Sequence, residues 1–366
     1  MKCTINDIAN VISESIPNPA ESGYEIFVGL EHYDSGEVKI TRYGSTQNLV
    51  TAVKVFKKGD ILLARRNVYL KRAGLVDFDG VTSGDSIVLR VKDNLSSIGL
   101  NSADIQRYLP FVLNTEEFWN YAEKYSDGTM SKRLSPKTLL QYEFDIPDDI
   151  EKKNELLWQA FETKESYRAM IKATDEMVKS QFIEMFGNPM LDEQKYPLKK
   201  LGDCCVINPK RGKVTLSDSD PVSFVPMPSV SEEGYLQDVS DSEYGSVKKG
   251  FTYFENGDVL FAKITPCMEN GKGAIAHSLT NGIGMGSTEF HVLRPIEGKS
   301  NSYWLYTLTK LPEFREKAAH NMSGTGGQQR VRADFLENFM IGLPPIESQN
   351  DLESICRQAD KSKYLN

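Results

Sequence analysis

Residues 148–186 contain neither glycine nor proline, and their apolar positions recur mostly at steps of three and four: Leu157, Ala160, Tyr167, Met170, Ile171, Thr174, Met177, Val178, Phe182 and Met185. That spacing sets one apolar face on an α-helix. Pro147 stands before the run and Gly187-Asn188-Pro189 after it, as start and stop signals should. At 1.5 Å per residue, about 38 residues make a rod of about 55 Å. Elsewhere the pattern shortens. Apolar runs at 24–30, 60–64, 86–91, 222–225, 258–262 and 289–293, set off by glycine and proline turns, predict strands. Residues 115–124 and 302–319 read as helices.

The stretches on either side of the long helix echo each other. Phe27-Val28 returns as Phe224-Val225, a step of 197 (224 − 27). Gly59-Asp60-Ile61-Leu62-Leu63-Ala64 returns as Gly257-Asp258-Val259-Leu260-Phe261-Ala262, a step of 198 (257 − 59). Glu117-Phe118 returns as Glu313-Phe314, Gly128-Thr129 with Arg133 as Gly324-Thr325 with Arg330, and Ile146-Pro147 as Leu343-Pro344. One segment breaks the step. Ser83-Gly84-Asp85 and Val88-Leu89-Arg90 return as Ser287-Thr288-Glu289 and Val292-Leu293-Arg294, 204 residues on (287 − 83). The second copy thus holds six more residues (204 − 198) between its Gly-Asp strand and its Ser-x-acid turn.

A repeat this long is no solenoid; it predicts two globular domains in tandem. One framework with unequal loops is how a scaffold carries two binding specificities. After Leu343-Pro344-Pro345 a second helical run begins, matching the segment from Ile150. The counterpart of Phe186 would fall beyond Asn366, so this helix is expected to be shorter. The expected organisation is mixed α/β. A domain at 1–147, a spacer helix at 148–190 and a domain at 191–344 precede a distal helix at 345–366, whose face partners the long helix.

Composition narrows the class. The 366 residues suit two domains, and 40% hydrophobic content with 17 Phe and 16 Tyr supplies two cores, which excludes whole-chain disorder. A net charge of −8 excludes coating nucleic acid by bulk electrostatics, but leaves room for local basic patches. Cys3, Cys204, Cys205, Cys267 and Cys356 form no C-x-x-C pair and are expected to be reduced thiols. With no apolar signal core at the N-terminus and no long apolar run, a cytoplasmic location is expected.

Three runs in the second copy carry a resemblance. They are residues 257–273, from Gly257 through Lys263-Ile264-Thr265-Pro266 to Gly273; residues 284–294, Gly284-Met285-Gly286-Ser287-Thr288-Glu289-Phe290-His291-Val292-Leu293-Arg294; and Ser323-Gly324-Thr325-Gly326-Gly327-Gln328-Gln329-Arg330-Val331, leading to Leu343-Pro344-Pro345-Ile346-Glu347-Ser348-Gln349. Together they resemble the specificity subunits of Type I restriction–modification enzymes. The first copy shares the resemblance mainly through the repeat. The resemblance implies two target-recognition domains, each reading one half of a bipartite double-stranded DNA site. It also implies an antiparallel helical (coiled-coil) spacer that docks two modification (methyltransferase) subunits, with a restriction (endonuclease/translocase) subunit joining through the complex.

Reading a base edge needs directional donors on a backbone that approaches DNA closely. Each copy offers two such loops. In the first they carry Arg65, Arg66, Asn67, Lys71 and Arg72, and then Thr129, Ser131, Lys132 and Arg133. In the second they carry Lys263, Thr265, Asn270 and Lys272, and then Thr325, Gln328, Gln329 and Arg330. Any one of these residues could be an ordinary solvated surface charge, and the sequence does not separate base from phosphate contacts. The Ser-x-acid turns are as well suited to bracing the loops as to touching DNA.

Catalytic signatures are missing. Asn188-Pro189-Met190 and Asn208-Pro209-Lys210 lack the second proline and the aromatic of an amino-methyltransferase loop. Gly271-Lys272-Gly273 is not a P-loop, and His32, His277, His291 and His320 have no metal-ligand spacing. His291 reads as a packed or hydrogen-bonded strand residue. The expectation is a non-catalytic binding subunit with no cofactor, metal or catalytic residue of its own. Alternatives are the specificity part of a related fused or two-subunit system, a truncated and partly competent specificity subunit, or a stand-alone nuclease with duplicated domains.

Overall fold

The computed structural model describes residues 1–19, 23–47, 49–128, 131–188, 195–324 and 327–363, with side chains described up to residue 360. The chain divides into two compact units, Met1–Glu165 and Ser166–Asn366, and is mixed α/β throughout.

The first unit closes on itself at its ends: strand Lys2–Thr4 pairs antiparallel with Glu143–Asp145. Its central sheet is antiparallel, in the order Ala9–Ile12, Ser86–Val91, Ile61–Ala64 and Ala73–Leu75. A second sheet contains a parallel pair, Ile26–Val28 beside Gly80–Thr82. Helices Ser102–Val112 and Glu116–Lys124 pack beneath the central sheet around buried Phe118 and Trp119. Thr115 starts the second of them by accepting the Phe118 N–H at 3.2 Å, an N-cap that satisfies an otherwise orphaned donor.

The second unit repeats this plan. Leu198–Lys200 pairs with Met340–Gly342. Its central sheet runs Cys205–Ile207, Phe290–Pro295, Val259–Ala262 and Gly273–Ile275, again antiparallel. Pro221–Val225 lies parallel to Ile283–Gly286. The tandem repeat and mixed α/β class read from the sequence are therefore borne out.

The expected single helix at 302–319 is two helices, Ser302–Lys310 and Pro312–His320. Pro312 lacks an amide hydrogen and forces Leu311 into extended backbone (φ −62°, ψ 131°), so the helix ends and a new one starts.

Registers also locate the extra residues of the second copy. Ile61 faces Leu75 and Val259 faces Ile275, a step of 200 (275 − 75). Phe27 faces Val81 and Phe224 faces Met285, a step of 204 (285 − 81). Two extra residues thus lie in the loop after the Gly-Asp strand, and four more precede the parallel strand.

The long helix spans Ile150–Phe186. Gly187, with φ +83°, ends it, and its N–H returns to the Ile183 carbonyl at 2.8 Å. Within the first unit, buried Asn154 donates to the Asp104 carbonyl and Trp158 to that of Arg107. Within the second unit, Phe182 and Phe186 share an apolar cluster with Leu352 and Cys356 of the second helix, Ile346–Lys363. Tyr167, Met170 and Met177 between these ends are exposed.

The repeated Gly-Asp pair is structural. Asp60 accepts the Arg90 guanidinium in a two-pronged contact, 2.7 Å at each nitrogen, and Asp258 takes Arg294 at the same distances. Both carboxylates are only 2% exposed, and each also accepts a backbone N–H of its turn, from Lys57 and from Glu255.

Candidate nucleic-acid interface

In each unit the two loops proposed from the sequence lie side by side, joined by matching backbone bonds. In the first unit the Arg65 carbonyl accepts the Leu134 N–H at 2.9 Å, and the Asn67 N–H donates to the Lys132 carbonyl at 2.9 Å. In the second the Lys263 carbonyl accepts the Val331 N–H at 2.8 Å, and the Thr265 N–H donates to the Gln329 carbonyl at 3.0 Å. The Ser-x-acid turn supports both: Arg65 N–H donates to the Asp85 carbonyl and Lys263 N–H to that of Glu289, at 2.9 Å each.

On this backbone the acidic side chain of the turn meets arginine. Asp85 faces both Arg66 and Arg133 at 3.6 Å. Arg66 Nε also donates to Ser131 Oγ at 2.9 Å, and that hydroxyl reaches Asn67 Oδ1 at 3.1 Å. Glu289 receives Arg330 Nε and Nη2 at 2.9 and 2.8 Å, which holds its carboxyl below the ordinary glutamate value. The turn is thus a brace. In the first unit one carboxylate stands against two arginines, leaving a net positive patch that suits phosphate.

Other candidates are spent on the protein itself. Lys71 Nζ sits on both Glu116 oxygens at 2.6 and 2.7 Å, and Arg72 Nη1 donates to the Leu30 carbonyl at 2.9 Å. Lys132 Nζ reaches the Glu123 carbonyl at 3.4 Å, and Asn270 donates to Glu232 Oε1 at 3.0 Å. Thr265 staples the two loops of its unit, its hydroxyl donating to the Gly327 carbonyl at 2.7 Å and accepting the Gln329 N–H at 3.1 Å. Gln328 and Gln329 are exposed; Arg65, Lys263 and Lys272 are half-buried. Thr129 and Thr325 lie outside the described residues.

Two further side chains support the loops, and of these only Arg315 had no marked role in the sequence. Arg315 is buried beneath the loop of the second unit and donates to the carbonyls of Met268 and Gly271. Burial pulls its pKa down to about 10, so it stays charged at neutral pH. His291, expected to be packed or hydrogen-bonded, is both: Nε2 donates to the Val331 carbonyl at 2.8 Å, and the Asn208 side chain faces Nδ1 at 3.0 Å. Burial lowers its pKa and favours the neutral ring. The signal for these roles was present only as isolated residues whose contacts are distant in sequence.

Burial also raises the thiols of Cys3 and Cys204 to about 11 and of Cys205 to about 12, so they stay protonated. Among the described residues no cluster of three metal-binding side chains occurs, and no helix is long and apolar enough to cross a membrane.

Braced loop pairs thus recur on a duplicated α/β framework. Residues 193–363 match the family described as Type I restriction modification DNA specificity domain. Over 164 residues the chain is 40% identical to the Type I restriction enzyme EcoAI specificity subunit of Escherichia coli, and over 150 residues 41% identical to the EcoEI specificity subunit of the same organism. These matches cover 42% and 41% of this chain but only 27% and 25% of those proteins. The resemblance read from the sequence is thereby borne out over the second unit. The fold likeness is wider. The crystal structure of a Type-I restriction-modification system S subunit from M. genitalium superposes with a TM-score of 0.50 at 14% identity, covering 99% of this chain and 90% of that one.

Proposed function

We propose that this chain is a non-catalytic DNA-specificity subunit of a Type I restriction–modification complex, reading a bipartite duplex site with one half-site per unit. The observation that carries the reading is the repeated loop joint: Arg66 and Arg133 on Asp85 in one unit, Arg330 on Glu289 in the other, each beside exposed or half-buried polar side chains. Such a joint orients guanidinium groups, the commonest readers of guanine in the major groove and frequent phosphate partners. The domain match in the second unit supports the same reading.

On this proposal, residues 1–147 and 191–344 are the two target-recognition domains. Residues 148–190 and 345–366 form the helical spacer that sets half-site spacing and docks two modification subunits. Methyl transfer and cleavage belong to the modification and restriction subunits, and the complex works in the cytoplasm. The exposed Tyr167, Met170 and Met177 on the long helix supply apolar area for a docked protein.

Selection from a random duplex library tests the reading. The expected product is two short specified blocks separated by unspecified base pairs. A single uninterrupted motif, or no enrichment with the partners present, would overturn it.

A further inference from the structure

The first loop of each unit contains one turn of the same design. Val68 is buried and its carbonyl accepts the Lys71 N–H at 2.9 Å; Met268 is buried and its carbonyl accepts the Gly271 N–H at 3.0 Å. The closing residue has positive φ in both, +48° at Lys71 and +87° at Gly271. Between anchor and closure the first unit exposes one side chain, Tyr69, 61% exposed beside half-buried Leu70, while the second exposes two, Glu269 and Asn270.

The first unit holds this turn against local preference. Lys71 adopts left-handed backbone that a lysine rarely takes, next to Asn67 (φ +56°), where asparagine takes the same region readily. Asn67 is fixed by its N–H on the Lys132 carbonyl and by the Ser131 hydroxyl on its Oδ1. Lys71 is fixed by Glu116, and its carbonyl accepts the Gly36 N–H at 2.9 Å. Unfavourable backbone held by surrounding bonds is a mark of a functional position. What it achieves here is the display of an aromatic ring, in a loop also bearing Arg65 and Arg66, with no hydrogen bond or ion pair of its own among the described residues.

Resting on the proposed reading of the first half-site, we propose that Tyr69 is a specificity-determining residue whose ring packs directly on a base or sugar of the DNA. The turn fixes the backbone that carries the ring, so only the side-chain torsions are left to order on contact. The second unit has no equivalent. The carboxylate of Glu269 is repelled by phosphate, so the two readers differ in chemistry at this tip.

The test selects duplexes from a random library with the full chain and its partners, comparing wild type, Tyr69→Ala, Tyr69→Phe and Glu269→Ala, with Arg66→Ala/Arg133→Ala as a reference. Tyr69→Ala is expected to weaken binding about tenfold, the scale of truncating one aromatic anchor of an interface, and to relax preference within the first half-site only. Tyr69→Phe retains both, and Glu269→Ala leaves the first half-site as in wild type. Melting curves check folding, which loss of an exposed side chain without internal bonds leaves intact. The proposal is overturned if Tyr69→Ala keeps the wild-type preference, if it alters both half-sites, or if Tyr69→Phe behaves like Tyr69→Ala. If the arginine reference also leaves the first half-site unchanged, the two-reader account itself fails. If the reference shifts that half-site while Tyr69→Ala does not, only the role of Tyr69 falls.

Discussion

Arg330 lies in line with the Glu289 carboxylate, two nitrogens on two oxygens, while the matching Arg133 stands 3.6 Å from Asp85 and shares it with Arg66. The duplicated joint is therefore tight and one-to-one in the second unit, looser and two-to-one in the first. Glu289→Gln removes the charge that aims Arg330. Discrimination in the second half-site is expected to fall about tenfold, the scale of one bidentate base contact, with the first half-site unchanged. Competition binding against duplexes altered in one half at a time measures this.

Asp85→Ala is expected to act in the opposite direction on affinity. It leaves Arg66 and Arg133 without their counter-charge, so they bind phosphate more freely. Affinity for any duplex should rise at low salt, and the logarithmic salt dependence should steepen by about one, while preference within the first half-site weakens. A salt titration on specific and unrelated duplexes gives both quantities.

The buried carboxylates Asp60 and Asp258 serve stability instead. Their arginine partners remain about one-third exposed, so the loss on removing the carboxylate is discounted from the fully buried case. Asp60→Ala should destabilise the first unit, and Asp258→Ala the second, by about 2 kcal/mol each. Hydrogen exchange resolved by segment would show protection falling in one unit and not in the other.

Much of this plan was legible because the repeat preserves steps. Gly-Asp, the Ser-x-acid turn and the paired loops recur in order, and the change in step from 198 to 204 marked where the copies differ; the strand registers divide that difference between the loop after the Gly-Asp strand and the connection behind it. What stayed hidden depends on contacts distant in sequence. Nothing near Lys71 announces Glu116, and nothing near Arg315 announces the carbonyls of Met268 and Gly271. The helix expected at 302–319 failed for a local reason, since Pro312 outweighs the apolar periodicity on either side.

His291 gives the sheet of the second unit a buried titratable ring where the first has Ile87 (291 − 204). Burial, helped by nearby Lys263, lowers the folded pKa of His291 below 6.5. A base with a lowered folded value favours its neutral form in the native state. Its contribution is therefore complete above the unfolded value near 6.5 and is lost as pH falls below it. The second unit should melt earlier below pH 6. His291→Ile should remove that shift, and unit-resolved melting between pH 5 and 8 checks it.

The central claim is that two separable readers act through one helical spacer while other subunits perform the chemistry. Its most direct test maps the modified sites of the assembled complex after residues 191–344 are exchanged for the corresponding domain of another specificity subunit. The account predicts a bipartite motif in which one half changes and the other half and the spacer length stay the same. A change in both halves, or a motif without an unspecified centre, would contradict it.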